Sequence, residues 1–118
     1  MLLKNFIEKI KSGAEISFAE TMAVIAENYN YQATSFSNGL AEAVLSNPAG
    51  QNEGSCKIFA FAQLNQLTPE QTLSLFGDFY RVDVLQNPAA NNHQNIRNFI
   101  KYGWEGIHFN AAPLTPKT

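Results

Sequence analysis

The reactive chemistry of this chain is concentrated in four consecutive residues, Gly54-Ser55-Cys56-Lys57. They stand just before the apolar run Ile58-Phe59-Ala60-Phe61, so Ser55 reads as the N-cap of a helix from Cys56 to about Leu67. A thiol in a first helical turn faces the positive end of the peptide dipoles. With Lys57 beside it, its pKa is expected to fall, and a thiolate is a competent nucleophile. His93 follows as a base, Asn95 or Asn110 as the amide that orients an imidazole, and Gln51 as an oxyanion donor. These are the parts of a small cysteine-dependent hydrolase using Cys56 and His93. The competing reading is plain packing: Cys56 shares a helical stripe with Phe59, Ala60 and Gln63, and thiols are often buried. Packing is preferred, and no catalytic residue is assigned.

Metal chemistry has weaker support. His93, His108, Cys56 and Asp83 are the available ligands, and no two stand at C-x-x-C or H-x-x-x-H spacing. No metal or cofactor is expected. A third constellation is polar and non-catalytic. The candidate binding surface is Asn38, Gln51, Asn52, Cys56, Arg81, Asp83, His93 and Arg97, with Tyr80 and Asn95 beside it in the sequence. The chain's two arginines, Arg81 and Arg97, lie near Asp83 and His93. A guanidinium makes planar, bidentate bonds, so each either binds a ligand or staples a loop, and stapling is preferred because long irregular segments must satisfy their backbone groups.

The elements that must position these residues follow from hydrophobic spacing. Leu3, Phe6, Ile7 and Ile10 predict a first helix stopped by Ser12-Gly13. Ser17 and Glu20 predict a capping box ahead of a second helix carrying Phe18, Met22, Ile25 and Tyr29. The two are expected to form a helical hairpin. Tyr31 to Phe36 alternates like a short strand, Ser37-Asn38-Gly39 reads as a turn, and Leu40 to Leu45 is either a helical turn or a loop. Asn47 to Gly54 has no packing face and reads as an exposed connection. The next helix is apolar nearly all round and should be central. Thr68-Pro69-Glu70-Gln71 starts another, with Gly77 ending or bending it. A last helix runs from His93 to Tyr102, stopped by Gly103, and Trp104 to Phe109 reads as a terminal strand with Ile107 and Phe109 on one face. Phe59, Phe61, Phe76, Phe79, Tyr80, Phe99 and Trp104 are assigned to the core, and the chain beyond Pro113 is expected to fray. The fold class expected is α+β, mainly α: one domain of about five helices with one or two short strands, residues 1–112, and a C-terminal tail, 113–118.

Composition agrees with a packed domain. Of 118 residues, 45% are hydrophobic and 12% aromatic. Charged residues are 15%, against about 25% in an average soluble domain. Amides fill the difference, with 13 Asn and 7 Gln. A net charge of −2 with no basic run gives no footprint for nucleic acid. No apolar run approaches the ~20 residues that span a bilayer. The N-terminal stretch MLLKNFIEKIKSG carries charges through its apolar positions and does not read as a cleavable signal peptide. One cysteine makes no internal disulfide and fits a reducing compartment.

Five blocks taken together resemble a known family: Phe36-Ser37-Asn38-Gly39; Ala49 through Phe59; Phe76-Gly77 with Tyr80-Arg81-Val82-Asp83-Val84-Leu85; His93 through Phe99; and Gly103-Trp104-Glu105-Gly106-Ile107. In order and spacing they resemble the HopJ family over roughly residues 2–114, departing at Leu40 to Pro48, where the connection is longer than the family's. The resemblance implies a type III secretion effector of bacterial, virulence-associated type, exported into a host cell and meeting a host protein there. It carries no catalytic residue and no cofactor onto this sequence. A third expectation, a bacterial ligand-binding protein that is never exported, fits the same residues.

Overall fold

The computed structural model describes residues 2–117. Its radius of gyration, 13.5 Å, is the value expected for one compact body of this length, about 13.5 Å. The class is α+β and mainly α, as expected. Among the described residues there are five α-helices: α1 Leu3–Lys11, α2 Phe18–Asn28, α3 Glu53–Leu64, α4 Pro69–Ser74 and α5 Gln94–Tyr102. A π-helical turn, Phe79–Val84, and two 3-10 turns join them. Five three-residue strands replace the one or two expected: β1 Tyr29–Tyr31, β2 Phe36–Asn38, β3 Leu45–Asn47, β4 Ile107–Phe109 and β5 Leu114–Pro116.

Helix α3 is the axis of the molecule. Ile58, Phe59, Phe61 and Ala62 are all at 0% exposure, so most of its circumference is covered, and only its ends, at Glu53 and at Gln63 and Leu64, are exposed. Phe59 is the hub, its ring 4.9 Å from Phe99, 5.6 Å from Phe76, 6.2 Å from Phe36 and 6.4 Å from Trp104. Phe79 departs from the expected core: it is 40% exposed.

The helix starts follow their sequence signals with two differences. Thr68 and Gln71 close a full capping box at the start of α4. At α2, Ser17 Oγ accepts from the Glu20 amide at 3.1 Å, but the Glu20 carboxylate takes Lys9 Nζ of α1 at 2.7 Å instead of folding back, so half the box is traded for an interhelical ion pair. The N-cap of α3 is Asn52, not Ser55, and the helix begins at Glu53. Asn52 has φ +53, a left-handed conformation that asparagine tolerates better than most residues, and this lets the chain enter the helix three residues early.

Strands β3, β2 and β4 form one antiparallel sheet in that order, with Phe36 opposite both Asn47 and Phe109. The strand expected over Tyr31 to Phe36 is in fact two, one at each end, with irregular chain between. The exposed connection expected from Asn47 begins one residue later, because Asn47 closes β3 and is 3% exposed. Ile107 is buried, Phe109 is partly buried and His108 faces solvent, the alternation expected for the last strand. The C-terminal segment does not fray over Leu114–Pro116: it pairs with β1, and Leu114 is 2% exposed. An apolar side chain so deeply covered holds a strand end that composition marks as loose.

Candidate functional site

Three buried carboxamides, Asn38, Asn47 and Asn95, form a network below the junction of β3, α3 and α5, with Asn52 at its exposed edge. Asn47 and Asn95 bond reciprocally. Asn95 Nδ2 donates to Asn47 Oδ1 at 2.9 Å and Asn47 Nδ2 donates to Asn95 Oδ1 at 3.2 Å. Asn38 Nδ2 donates to both oxygens of Asn95, the backbone carbonyl at 2.8 Å and Oδ1 at 3.0 Å. Asn52 Nδ2 donates to Asn47 Oδ1 at 2.7 Å. Asn98, one turn along α5, donates to the carbonyls of Asn38 and Ala43 and fastens the β2–β3 connection to that helix. A planar amide has two donors and two acceptor lone pairs, so a ring of them satisfies buried strand and helix ends without burying charge. One atom is left over, Asn38 Oδ1, buried with no hydrogen-bond partner among the described residues.

Above this network opens a cleft of about 510 Å³, within the ~300–1,000 Å³ range of small-molecule sites. One wall is polar: Ser46 and Asn47 at the end of β3, Asn52 and Ser55 at the start of α3, His93 and Asn95 at the start of α5. The other wall is aromatic. The Phe18 and Phe79 rings meet edge to face with centroids 5.0 Å apart, and the His93 ring lies 5.2 Å beyond Phe79. Phe18 packs onto the first turn of α3, where a Cβ on Gly54 would lie 2.8 Å from its ring, so a glycine there gives the aromatic wall its place.

Helices α3 and α5 enter the cleft in the same way. Each begins from a left-handed, non-glycine N-cap, Asn52 at φ +53 and His93 at φ +51, and neither side chain caps its own helix. Both reach sideways instead, Asn52 to Asn47 and His93 to Asp83. His93 Nε2 lies 3.0 Å from Asp83 Oδ2. Asp83 belongs to the π-helical turn, whose i→i+5 bond from the Leu85 amide to the Tyr80 carbonyl widens the spiral by a residue. Asp83 serves His93 while Arg81, two residues earlier, serves a different neighbour.

The eight sequence candidates therefore separate. Asn52 and His93 line the cleft, Asp83 holds His93, and Asn38 lies in the network beneath. Arg97 is close by but committed: it donates to the carbonyl and side chain of Asn92 at 2.6 and 2.7 Å, and to the carbonyls of Pro88 and Asp83 at 3.3 Å. Four acceptors on one guanidinium make a loop staple. Arg81 bonds the Ile16 carbonyl at 2.7 Å, with Glu15 and Asp78 each 3.5 Å away, not Asp83, and lines a separate depression beyond the Phe18–Phe79 pair. Gln51 is exposed and outside the lining.

Cys56 faces elsewhere. It is 1% exposed, its surroundings contain Tyr31, Glu53 and Lys57, and its thiol bonds the Thr34 backbone. Burial, then the Glu53 charge, pushes the thiol up to about 11, with Lys57 only partly opposing. The fall expected from the helix start and the lysine is thus reversed, because desolvation of a covered thiolate outweighs a partial dipole and one partly buried ammonium. The Tyr31 hydroxyl is raised as well, by burial and by its bond to Glu53. Among the described residues no hydrogen bond joins Cys56 to His93, and Cys56 does not line the cleft that His93 lines. No group of three His, Cys, Asp or Glu among the described residues gathers at metal-binding distance.

Sequence reasoning missed Asn47, Ser46 and the pair Phe18–Phe79. The Asn47-Pro48 step reads as a turn, and nothing local marks Asn47 as a buried strand end. The one signal was global, the excess of amides over charges. A second groove, about 530 Å³ between α3 and residues 107–114, has largely apolar walls and contains none of the eight candidates.

No curated protein matches this chain. A crystal structure titled as an unknown function protein, VPA0580, superposes with a TM-score of 0.93 at 51% identity, over 99% of this chain and 95% of that one. The family model described as HopJ type III effector protein matches residues 3–114. With nearly every element inside that span, the chain belongs to the HopJ type III effector family.

Proposed function

We propose that this HopJ-family chain is a small binding protein without cysteine-based catalysis, and that its ligand occupies the cleft between β3, α3 and α5. The observation that carries this reading is the cleft itself: about 510 Å³ of space where the ends of three elements present side chains, over a floor of bonded amides that fixes their positions. Asn52 keeps its Oδ1 and one N–H free of protein partners, and Ser46 and Ser55 make no side-chain hydrogen bond among the described residues. Unspent donors and acceptors on a rigid base are what a recognition site requires.

A ligand-observed NMR screen of a small polar compound library, run against the protein and its Ser46→Trp variant, tests this. Ser46 is exposed at the cleft edge, so the indole occupies the cleft without entering the core. Compounds that bind the parent and are lost from the variant support the reading; a library with no binders, or binders indifferent to the tryptophan, contradicts it. The family's effector description adds export to a host cell. A fusion of residues 1–20 to a reporter should leave a bacterium carrying a type III apparatus. Retention of the reporter would favour the third expectation, a ligand-binding protein that works in the bacterial cytoplasm.

A further inference from the structure

The chemistry of the two walls narrows the ligand. No Lys, Arg, Asp or Glu lines the cleft. Its polar groups are carboxamides, hydroxyls and one imidazole, and a carboxylate, Asp83, is held 3.0 Å from His93 behind the wall. That negative charge weighs against an anion while the uncapped starts of α3 and α5 weigh for one, and with no Lys or Arg in the lining the neutral groups of the walls decide. The remaining donors and acceptors, Asn52 above all, are neutral groups that pair with neutral hydroxyls in both directions. Opposite them stands an aromatic face. Phe79 is 40% exposed in a molecule that buries its other phenylalanines in or against the core, and it meets Phe18 edge to face with the His93 ring tilted 40° to it at 5.2 Å. A π face is electron-rich and attracts the weakly positive hydrogens of C–H groups. A molecule with hydroxyls round its rim and C–H groups on its flat face satisfies both walls at once.

Resting on the reading that this cleft is the binding site, we propose that its ligand is a neutral saccharide of one or two rings, its hydroxyls on the Asn52, Ser46 and Ser55 side and a sugar face against Phe79. The exposure of Phe79 then has a purpose, as does the choice of amides over arginines at the cleft.

The test is a titration of the 15N-labelled chain with maltose, cellobiose and N,N′-diacetylchitobiose, with galacturonate and inorganic phosphate as charged probes. At least one neutral disaccharide is expected to shift the Asn52 side-chain amide and the Ser55 and His93 backbone resonances, with millimolar or tighter affinity. Asn52→Ala and Phe79→Ala should each weaken it about tenfold, within the range of one lost hydrogen bond or one lost aromatic contact. Phe79→Leu, which keeps an apolar side chain and removes the ring, should weaken it similarly while the backbone spectrum stays folded. The proposal is overturned if no neutral saccharide shifts cleft resonances, if phosphate or galacturonate alone does so, or if Phe79→Leu binds like the parent. Should the library screen find cleft binders of another class, the binding function stands and the saccharide assignment falls. Should the cleft take nothing at all, both fall.

Discussion

At the residue scale, the buried amides are the feature on which the cleft rests. Asn47 accepts from Asn52 and Asn95 and donates back to Asn95, so truncating it removes a partner from both amides together. An unsatisfied buried polar group costs about 1–3 kcal/mol, and Asn47→Ala is expected to lose about 2 kcal/mol in urea denaturation. Asn95→Ala should cost a similar amount, and the double variant clearly less than the sum, because both remove the same reciprocal pair. Additive losses would mean the two amides are satisfied independently. Cys56 makes a second prediction. Its thiol stands at about 11 in the fold against an ordinary 9.0, so below about pH 9 both folded and unfolded chains carry the proton. Between 9 and 11 the unfolded chain gives it up first, so the thiol's contribution to stability fades as pH rises through that window. At pH 8 the folded chain should therefore resist iodoacetamide and react only after unfolding. Rapid labelling of the native protein would show an accessible thiolate and reopen nucleophilic chemistry.

At the scale of elements, local spacing was legible where one helix carries its own signals. The Thr68–Gln71 capping box, the apolar circumference of α3 and the Gly103 stop all follow from neighbours in sequence. What escaped depends on partners far along the chain. Asn38 meets Asn95 across 57 positions and Asn47 meets it across 48, and no local pattern encodes such pairs. The same limit explains the arginines. For Arg97 stapling is the preferred reading, but its partners are not legible: the loop between Pro88 and Asn92 folds back and accepts three of its hydrogen bonds, with the Asp83 carbonyl accepting a fourth. The C-terminal strand is the clearest case, since Leu114–Pro116 has a strand partner only because β1 waits 85 residues upstream. Ending the chain at Ala112 removes the β5–β1 pairing and uncovers the Leu114 site. Full burial of one leucine alone is worth about 1.5–3 kcal/mol, so the shortened chain should lose about 2–3 kcal/mol on chemical denaturation. An unchanged midpoint would mean the strand is decorative.

At the scale of the whole molecule, the phenylalanine cluster around α3 holds the sheet and α5 in fixed relation, and the cleft is the seam those pieces leave. The expectation of one polar surface uniting amides and arginines resolves into two places separated by the Phe18–Phe79 pair: a cleft built on neutral amides, and an arginine site beyond it tied to the Ile16 carbonyl and two carboxylates. Function on this account belongs to the first. The most direct measurement compares, by isothermal titration, the affinity of a cleft ligand from the screen for the parent chain, Asn52→Ala and Arg81→Ala. Loss of about tenfold at Asn52 with little change at Arg81 is the result predicted, one hydrogen-bonding group being worth about 0.5–1.5 kcal/mol. Loss at Arg81 with Asn52 indifferent would put recognition on the far side of the aromatic pair and contradict the assignment of the site.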